Sequence, residues 1–286
     1  RFNDVDTKYF ESEGESGIHI IFVPGPLNPE IWKHQVRYFS KNYSTVTYRN
    51  SVKNYVTEKR IIQGILDQKK IENAVLVSAN LGNSIIQEFE KHESVIATAY
   101  TGLDEDYGFK LPDSIYRTLS QVLSKPKLLK KWFFAEKTDY RIVKNFLKDW
   151  KQPDSDTFNS FMRRYRFDRP VKNAFSIHGE KDSFDSIDFA RGVPSLKIGN
   201  IQRAGTFSFY EKPEEYNKAL LDFINGLEDF VESREVSKTQ QKNRSLKDFE
   251  SEDKEKQDGN KKTEKSSGHK IVGKDVEKEK AVAKRR

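Results

Sequence analysis

Residues 74–89 read Ala-Val-Leu-Val-Ser-Ala-Asn-Leu-Gly-Asn-Ser-Ile-Ile-Gln-Glu-Phe. An apolar strand runs into a sharp turn, and a helix with Ile85, Ile86 and Phe89 on one face follows. A strand–turn–helix of this kind lifts the side chain at the turn clear of the end of a sheet, which is where a nucleophile can work. The turn spans Ser78, Ala79, Asn80, Leu81 and Gly82, and its central position holds Asn80. A carboxamide has no ionisable proton and cannot attack a carbonyl as an activated hydroxyl does. The backbone pattern of covalent catalysis is present while the reactive group is missing.

Other residues do not restore that chemistry. The five histidines are His19, His34, His92, His178 and His269. His19 and His178 fall in predicted strands, His34 and His92 on or at the end of helices, and His269 in a polar tail; they read as ordinary buried or surface side chains. None shows metal-ligand spacing such as His-x-x-x-His. No cysteine exists, so a thiol nucleophile, a disulfide framework and a cysteine metal site are excluded. Ser78 flanks the turn and Ser84 lies one turn into the helix, so both are expected to face away from the point of attack. Neither a metal nor an organic cofactor is expected.

The elements that must position this turn follow from periodicity. Residues 18–25 form a buried strand ended by Pro-Gly, and 29–41 look helical. Val46 and Tyr48 mark a second short strand. Val56, Ile61, Ile62, Ile65 and Leu66 put a helix over 55–70. Strands follow at 74–78 and 95–100, with a helix over 82–92 between them. Such alternation means a parallel sheet with helices on both faces. From about 104 to 168 no strand is legible; Tyr116, Leu119 and Val122 mark one helical stretch, and Ile142, Phe146 and Trp150 another. Alternation resumes at Ala174–His178 and Leu196–Gly199, and a last helix from Pro213 aligns Tyr216, Leu220, Phe223, Ile224 and Leu227.

Four landmarks in order give the pattern a family resemblance. They are Phe22-Val23-Pro24-Gly25 with Trp32 downstream, Ser78 to Gly82, Ile177-His178-Gly179-Glu180-Lys181-Asp182, and Ala204-Gly205-Thr206-Phe207 followed by Glu211-Lys212-Pro213-Glu214-Glu215. Together residues 5–230 resemble an α/β-hydrolase of the lid-bearing, esterase-to-dehalogenase kind. The resemblance implies an α/β fold with a mostly parallel central sheet, helices on both faces, and a helical lid inserted between strands six and seven. It divides the chain into a core of residues 1–103 and 169–231, a lid of 104–168, and a charged tail of 232–286. It makes Asn80, Asp182 and Thr206 the triad-equivalent positions. Thr206 stands where the base belongs and has only a hydroxyl, so Asp182 has no histidine to orient. The oxyanion hole draws one N–H from Leu81. The other belongs to the residue after Pro24-Gly25, which is Pro26 and has no N–H; a turn shifted by one residue hands the task to Leu27. Asp104 sits where some relatives carry their acid and is read as a hinge or cap.

Charge is uneven along the chain. Residues 232–286 hold 17 Lys and Arg against 12 Asp and Glu, so +5 of the formal +7 lies there, and the body gives no reason to expect a nucleic-acid groove. Leu246, Phe249 and Ile271 are nearly the only large apolar residues of that tail, too few to offset chain entropy, so it is expected to be disordered. Lys261-Lys262 and Lys284-Arg285-Arg286 offer contacts to RNA or a protein, diluted by interleaved acids. In the lid, Lys125 to Lys131 with Trp132-Phe133-Phe134, and Arg163, Arg164, Tyr165, Arg166 and Arg169, mix cations with aromatics. They read as amphipathic helices with aromatics inward; an anion or nucleic-acid surface is the alternative. No apolar run reaches a membrane span, and the expected location is cytoplasmic, with an organelle as the alternative. The sequence thus points to a non-hydrolytic pseudoenzyme that binds a small apolar or acyl-like ligand or serves as an interaction module. An ester or acyl hydrolase or lyase with rearranged residues, and a ribonucleoprotein scaffold anchored by the tail, are the alternatives.

Overall fold

Residues 74–79 and 95–101 are buried at every position, which is what a strand covered on both faces requires. In the computed structural model they are the centre of a seven-stranded sheet. The structure describes residues 5, 7–50, 54–102, 124–150, 153–164, 170, 173–182, 190–193, 196–234 and 236. The strands are β1 (Thr7–Ser12), β2 (His19–Val23), β3 (Ser44–Asn50), β4 (Ala74–Ala79), β5 (Val95–Thr101), β6 (Asn173–Gly179) and β7 (Leu196–Ile201), in the spatial order β1-β3-β2-β4-β5-β6-β7. All neighbours are parallel except β1, which runs antiparallel to β3. β1 is absent from the sequence reading, because Thr7-Lys8-Tyr9-Phe10-Glu11-Ser12 has neither an apolar run nor alternation; its ladder with β3 makes it a strand.

Helices cover both faces. α2 (Tyr55–Gln68) and α3 (Asn83–Gln87) bring Ile61, Ile62, Ile65, Leu66, Ile85 and Ile86 into one cluster with Ile21, Val23 and Leu76. Successive strand side chains point to opposite faces, so Phe22 packs the other way. Its ring lies 5.5 Å from that of Trp32 and 6.1 Å from that of Phe39 on α1 (Lys33–Phe39). Trp32 in turn stacks at 4.5 Å on Phe209. Each such fully buried side chain contributes about 1.5–3 kcal/mol. The elbow helix is shorter than the predicted 82–92, since after Gln87 the backbone passes into turns.

Among the described residues three helices stand between β5 and β6: α4 (Pro126–Phe133), α5 (Tyr140–Trp150) and α6 (Ser155–Met162). The insertion, expected between strands six and seven, lies among the described residues between the fifth and sixth strands, because one strand fewer than that count precedes it. Pro126 opens α4, and Asp154 caps α6 by accepting from Thr157 N at 2.7 Å. Phe134, Phe146 and Trp150 turn inward as their spacing predicts, whereas Trp132 is 53% exposed. Asp104, the helix expected at Tyr116–Val122, Tyr165, Arg166, Arg169, His269 and nearly all of 232–286 lie outside the described residues. α7 (Ser208–Glu211) and α8 (Pro213–Asn225) complete the core. Residues 1–228 form one compact unit and 229–286 a second, of which 229–234 are helical. Among the described residues no helix is long and apolar enough to cross a membrane.

Candidate functional site

Strand register brings the carboxyl ends of β2, β4, β5 and β6 side by side, with Val23 opposite Ser78, Ala79 opposite Thr101, and Thr101 opposite Ile177. The next residues of each strand therefore meet at one edge, where open α/β sheets hold their sites. Asn80 follows β4 with φ +48°, the left-handed region that Asn tolerates better than most side chains. The turn is tight because backbones touch: a Cβ on Gly82 would strike Ser78 Oγ, and a Cβ on Gly25 (φ +61°) would sit 3.0 Å from Gly82 Cα. Asn83 Nδ2 donates to Thr101 O at 3.0 Å and ties the elbow helix to the end of β5.

The three positions that the family resemblance singles out lie close together. Thr206 Oγ1 donates to Asp182 Oδ1 at 2.6 Å. A Cβ on Gly102 (φ +61°) would collide with Asn80 Oδ1 and lie 3.5 Å from Thr206 Cγ2, so Asn80 and Thr206 flank the same point after β5. Ser78 and Ser84 are turned away. Ser78 is fully buried with its hydroxyl on Val23 O at 3.2 Å, and the hydroxyl of Ser84 donates to Leu81 O at 3.2 Å.

Donors at the end of β2 are committed elsewhere. Gly25 N–H donates to the buried Glu58 Oε1 at 3.1 Å, Pro26 has no N–H, and Leu27 N–H closes a turn onto Pro24 O at 3.2 Å. Leu27 N–H, the donor expected for a turn shifted by one residue, is thus engaged within the turn itself. Leu81 lies ahead of the first intrahelical bond, which Asn83 N–H makes to Asn80 O. Glu58 also accepts from Tyr48 OH at 2.9 Å. Burial, and then the Glu58 carboxylate, push the Tyr48 phenol well up and keep it a donor. Sequence reasoning missed Glu58, because an acid in the first turn of a helix ordinarily reads as a complement to the helix dipole.

A second carboxylate secures the segment that carries Thr206. Glu211 is 5% exposed and accepts from Gly205 N at 2.7 Å, Ala135 N at 3.1 Å and the Thr138 hydroxyl. Burial pushes its acid strength down and its pKa up, while these donors pull the pKa back. Phe207, next to Thr206, packs at 5.3 Å on Phe133, 5.7 Å on Phe134, 4.4 Å on Phe146 and 6.1 Å on Trp150. On this side the inserted helices lean on the site through aromatic rings. Asp149 of α5 adds polar ties to Lys33 and Tyr210.

His92 bonds with Gln63 and Ser94, and His178 with Ser176, none of which is among Asn80, Asp182 and Thr206. His178 is fully buried on β6 with Nε2 2.6 Å from Ser176 Oγ, and burial followed by the nearby Arg191 charge lowers its pKa to about 4. The unfolded chain takes up a proton near pH 6.5 that the folded chain refuses until about pH 4. Stability is therefore full above that upper value and falls as pH drops through the window, by up to about 3 kcal/mol from this group. Thermal melts between pH 7.5 and 4 are expected to show the slope, and His178→Gln to flatten it. An unchanged slope in that variant would assign the acid sensitivity elsewhere. Among the described residues no group of three or more His, Asp or Glu is placed to hold a metal.

No family model matches the chain, and no curated relative does. Solved structures match it over most of its length. Est816, an N-acyl homoserine lactone degrading enzyme, is 19% identical with a TM-score of 0.65, over 78% of this chain and 98% of the other. The enol-lactonase from Burkholderia xenovorans LB400 is 14% identical with a TM-score of 0.63, over 78% and 98%. An alpha/beta hydrolase fold protein from Chitinophaga pinensis is 13% identical with a TM-score of 0.59, over 78% and 95%. Strand order, the left-handed turn after β4 and these likenesses together give the chain the α/β-hydrolase fold.

Proposed function

We propose that this chain is a non-hydrolytic protein on the α/β-hydrolase fold, acting as a small-ligand-binding or interaction module. The observation that carries the reading is the Thr206–Asp182 hydrogen bond beside Asn80. Two side chains that cannot titrate near neutrality stand where a nucleophile and a base would act, and the acid holds a hydroxyl in place of an imidazole. The commitment of Gly25 N–H and Leu27 N–H, with Pro26 between them, supports the same reading from the oxyanion side. The ester- and lactone-processing proteins that share the fold make an acyl-like molecule the ligand class to try first. No specific observation favours rearranged catalysis, since Ser78 and Ser84 are both buried and bonded to backbone carbonyls.

A fluorophosphonate probe tests this directly. It reacts with activated serines and is expected to leave the folded protein unlabelled, as read by intact mass. Labelling at Ser78 or Ser84 would overturn the proposal.

A further inference from the structure

Of the three tryptophans, Trp32 is fully buried and Trp150 is 8% exposed, while Trp132 on α4 is 53% exposed. Leu128 and Trp132 stand four residues apart and share one helix ridge; Lys127 and Lys131 form the ridge beside it. Leu129, on the far side from those two lysines, is fully buried and Leu128 half-buried, which sets the helix's rotation with Trp132 and the lysines outward. Lys127 and Lys131 are both exposed, α4 contains no acid, and neither lysine is ion-paired among the described residues. Lys125 before the helix is exposed too; after it, Lys137 stands between the exposed acids Glu136 and Asp139, so the uncompensated cations among the described residues lie toward the helix's start and outer face. Lys130 and Lys131 do complement the helix C-terminus, but that leaves Lys127 and the outward Trp132 without an account.

We propose that the outer face of α4 docks on an anionic phospholipid surface. An indole is at home at the headgroup level, with its ring on acyl chains and its N–H in the wet layer, and flanking lysines reach the phosphates with their stems along the apolar boundary. The chemistry separates this occupant from single-stranded nucleic acid. A base-stacking surface presents successive aromatic planes in a basic groove. Here the ridge is convex, and the partner of Trp132 along it is Leu128, which has no π-face. Net charge complementarity supplies attraction, and the Leu128–Trp132 ridge supplies depth.

The full-length chain with vesicles of 70% phosphatidylcholine and 30% phosphatidylserine is the test, because Trp132 itself reports. Its emission is expected to shift to the blue and the protein to sediment with these vesicles, with neither effect on pure phosphatidylcholine. Each lysine near such a surface is worth about fivefold in binding, so Lys127→Gln with Lys131→Gln should weaken it about 25-fold, and salt should weaken it further. Trp132→Ala should also lose affinity while far-UV circular dichroism and the melting temperature stay unchanged, as befits an exposed residue. Absence of the shift, equal binding to neutral vesicles, or equal binding by both variants would overturn the proposal, the last by placing the contact elsewhere in the chain. A Trp132 shift with poly(U) but not with vesicles would make the face an RNA surface and overturn it as well.

Discussion

Glu211→Ala is expected to destabilise residues 1–228 by about 3–5 kcal/mol, the cost of leaving buried partners of a carboxylate unpaired. Three donors converge on this one side chain: Gly205 N–H, Ala135 N–H and the Thr138 hydroxyl. Each loses its acceptor at a place water does not reach readily, because Glu211 is only 5% exposed. For a unit of this size 1 kcal/mol moves the midpoint by about 2–4 °C, so the melting temperature should fall by about 6–20 °C. Glu211→Gln keeps the volume and one acceptor but brings an NH2 toward donors, so it should fall between the two. Urea titration of the three proteins reads the order directly. A change of less than about 1 kcal/mol for Glu211→Ala would mean that water replaces the carboxylate. The loss should also register locally, as faster amide exchange at Ala135 and Gly205, since this carboxylate is what ties the end of α4 to the segment that carries Thr206.

The second large effect concerns rate. Asn80→Ser with Thr206→His supplies a nucleophile and a base beside Asp182, yet it is expected to hydrolyse p-nitrophenyl acetate at least on the order of 100-fold more slowly than an esterase with a complete oxyanion hole. The deficit lies in the backbone. Pro26 offers no donor, Leu27 N–H is spent on Pro24 O, and Gly25 N–H on Glu58. Adding Pro26→Ala to the pair restores an N–H at the required place and should raise kcat by about 100-fold over the double variant. Esterase-like turnover from the double variant alone would show that two donors are already in place. No gain from the third substitution would show that the position after Gly25 does not face the reacting oxygen.

The fold was legible where strands are buried on both faces. Ala74–Ala79 and Val95–Thr101 carry few polar side chains, and a parallel interior tolerates nothing else. β1 was not legible, since an edge strand with Tyr9 42% and Phe10 52% exposed owes its conformation to its ladder with β3 rather than to a buried face. At the site, Asn80, Asp182 and Thr206 were singled out through the family resemblance of the four landmarks, and their closeness follows from the register of the strands that end beside them. The bond partners of Gly25 and Leu27 were not legible. They depend on how a turn closes and on a glutamate 33 residues further along the chain, neither of which leaves a periodic trace. Glu211 was visible as a letter in a landmark, but its role rests on Ala135 and Thr138, distant in sequence and close in space.

The contact between Gly25 and Gly82 has a consequence for what a strand–turn–helix motif of this kind demands. A methyl group on either residue meets backbone or a buried hydroxyl, so both must stay glycine for the sheet and the elbow helix to close, whether or not anything is hydrolysed. Asn80, at φ +48°, is likewise restricted to the few side chains that accept that backbone. Packing alone therefore requires the glycines and the left-handed turn of such a motif, whatever chemistry the central side chain offers.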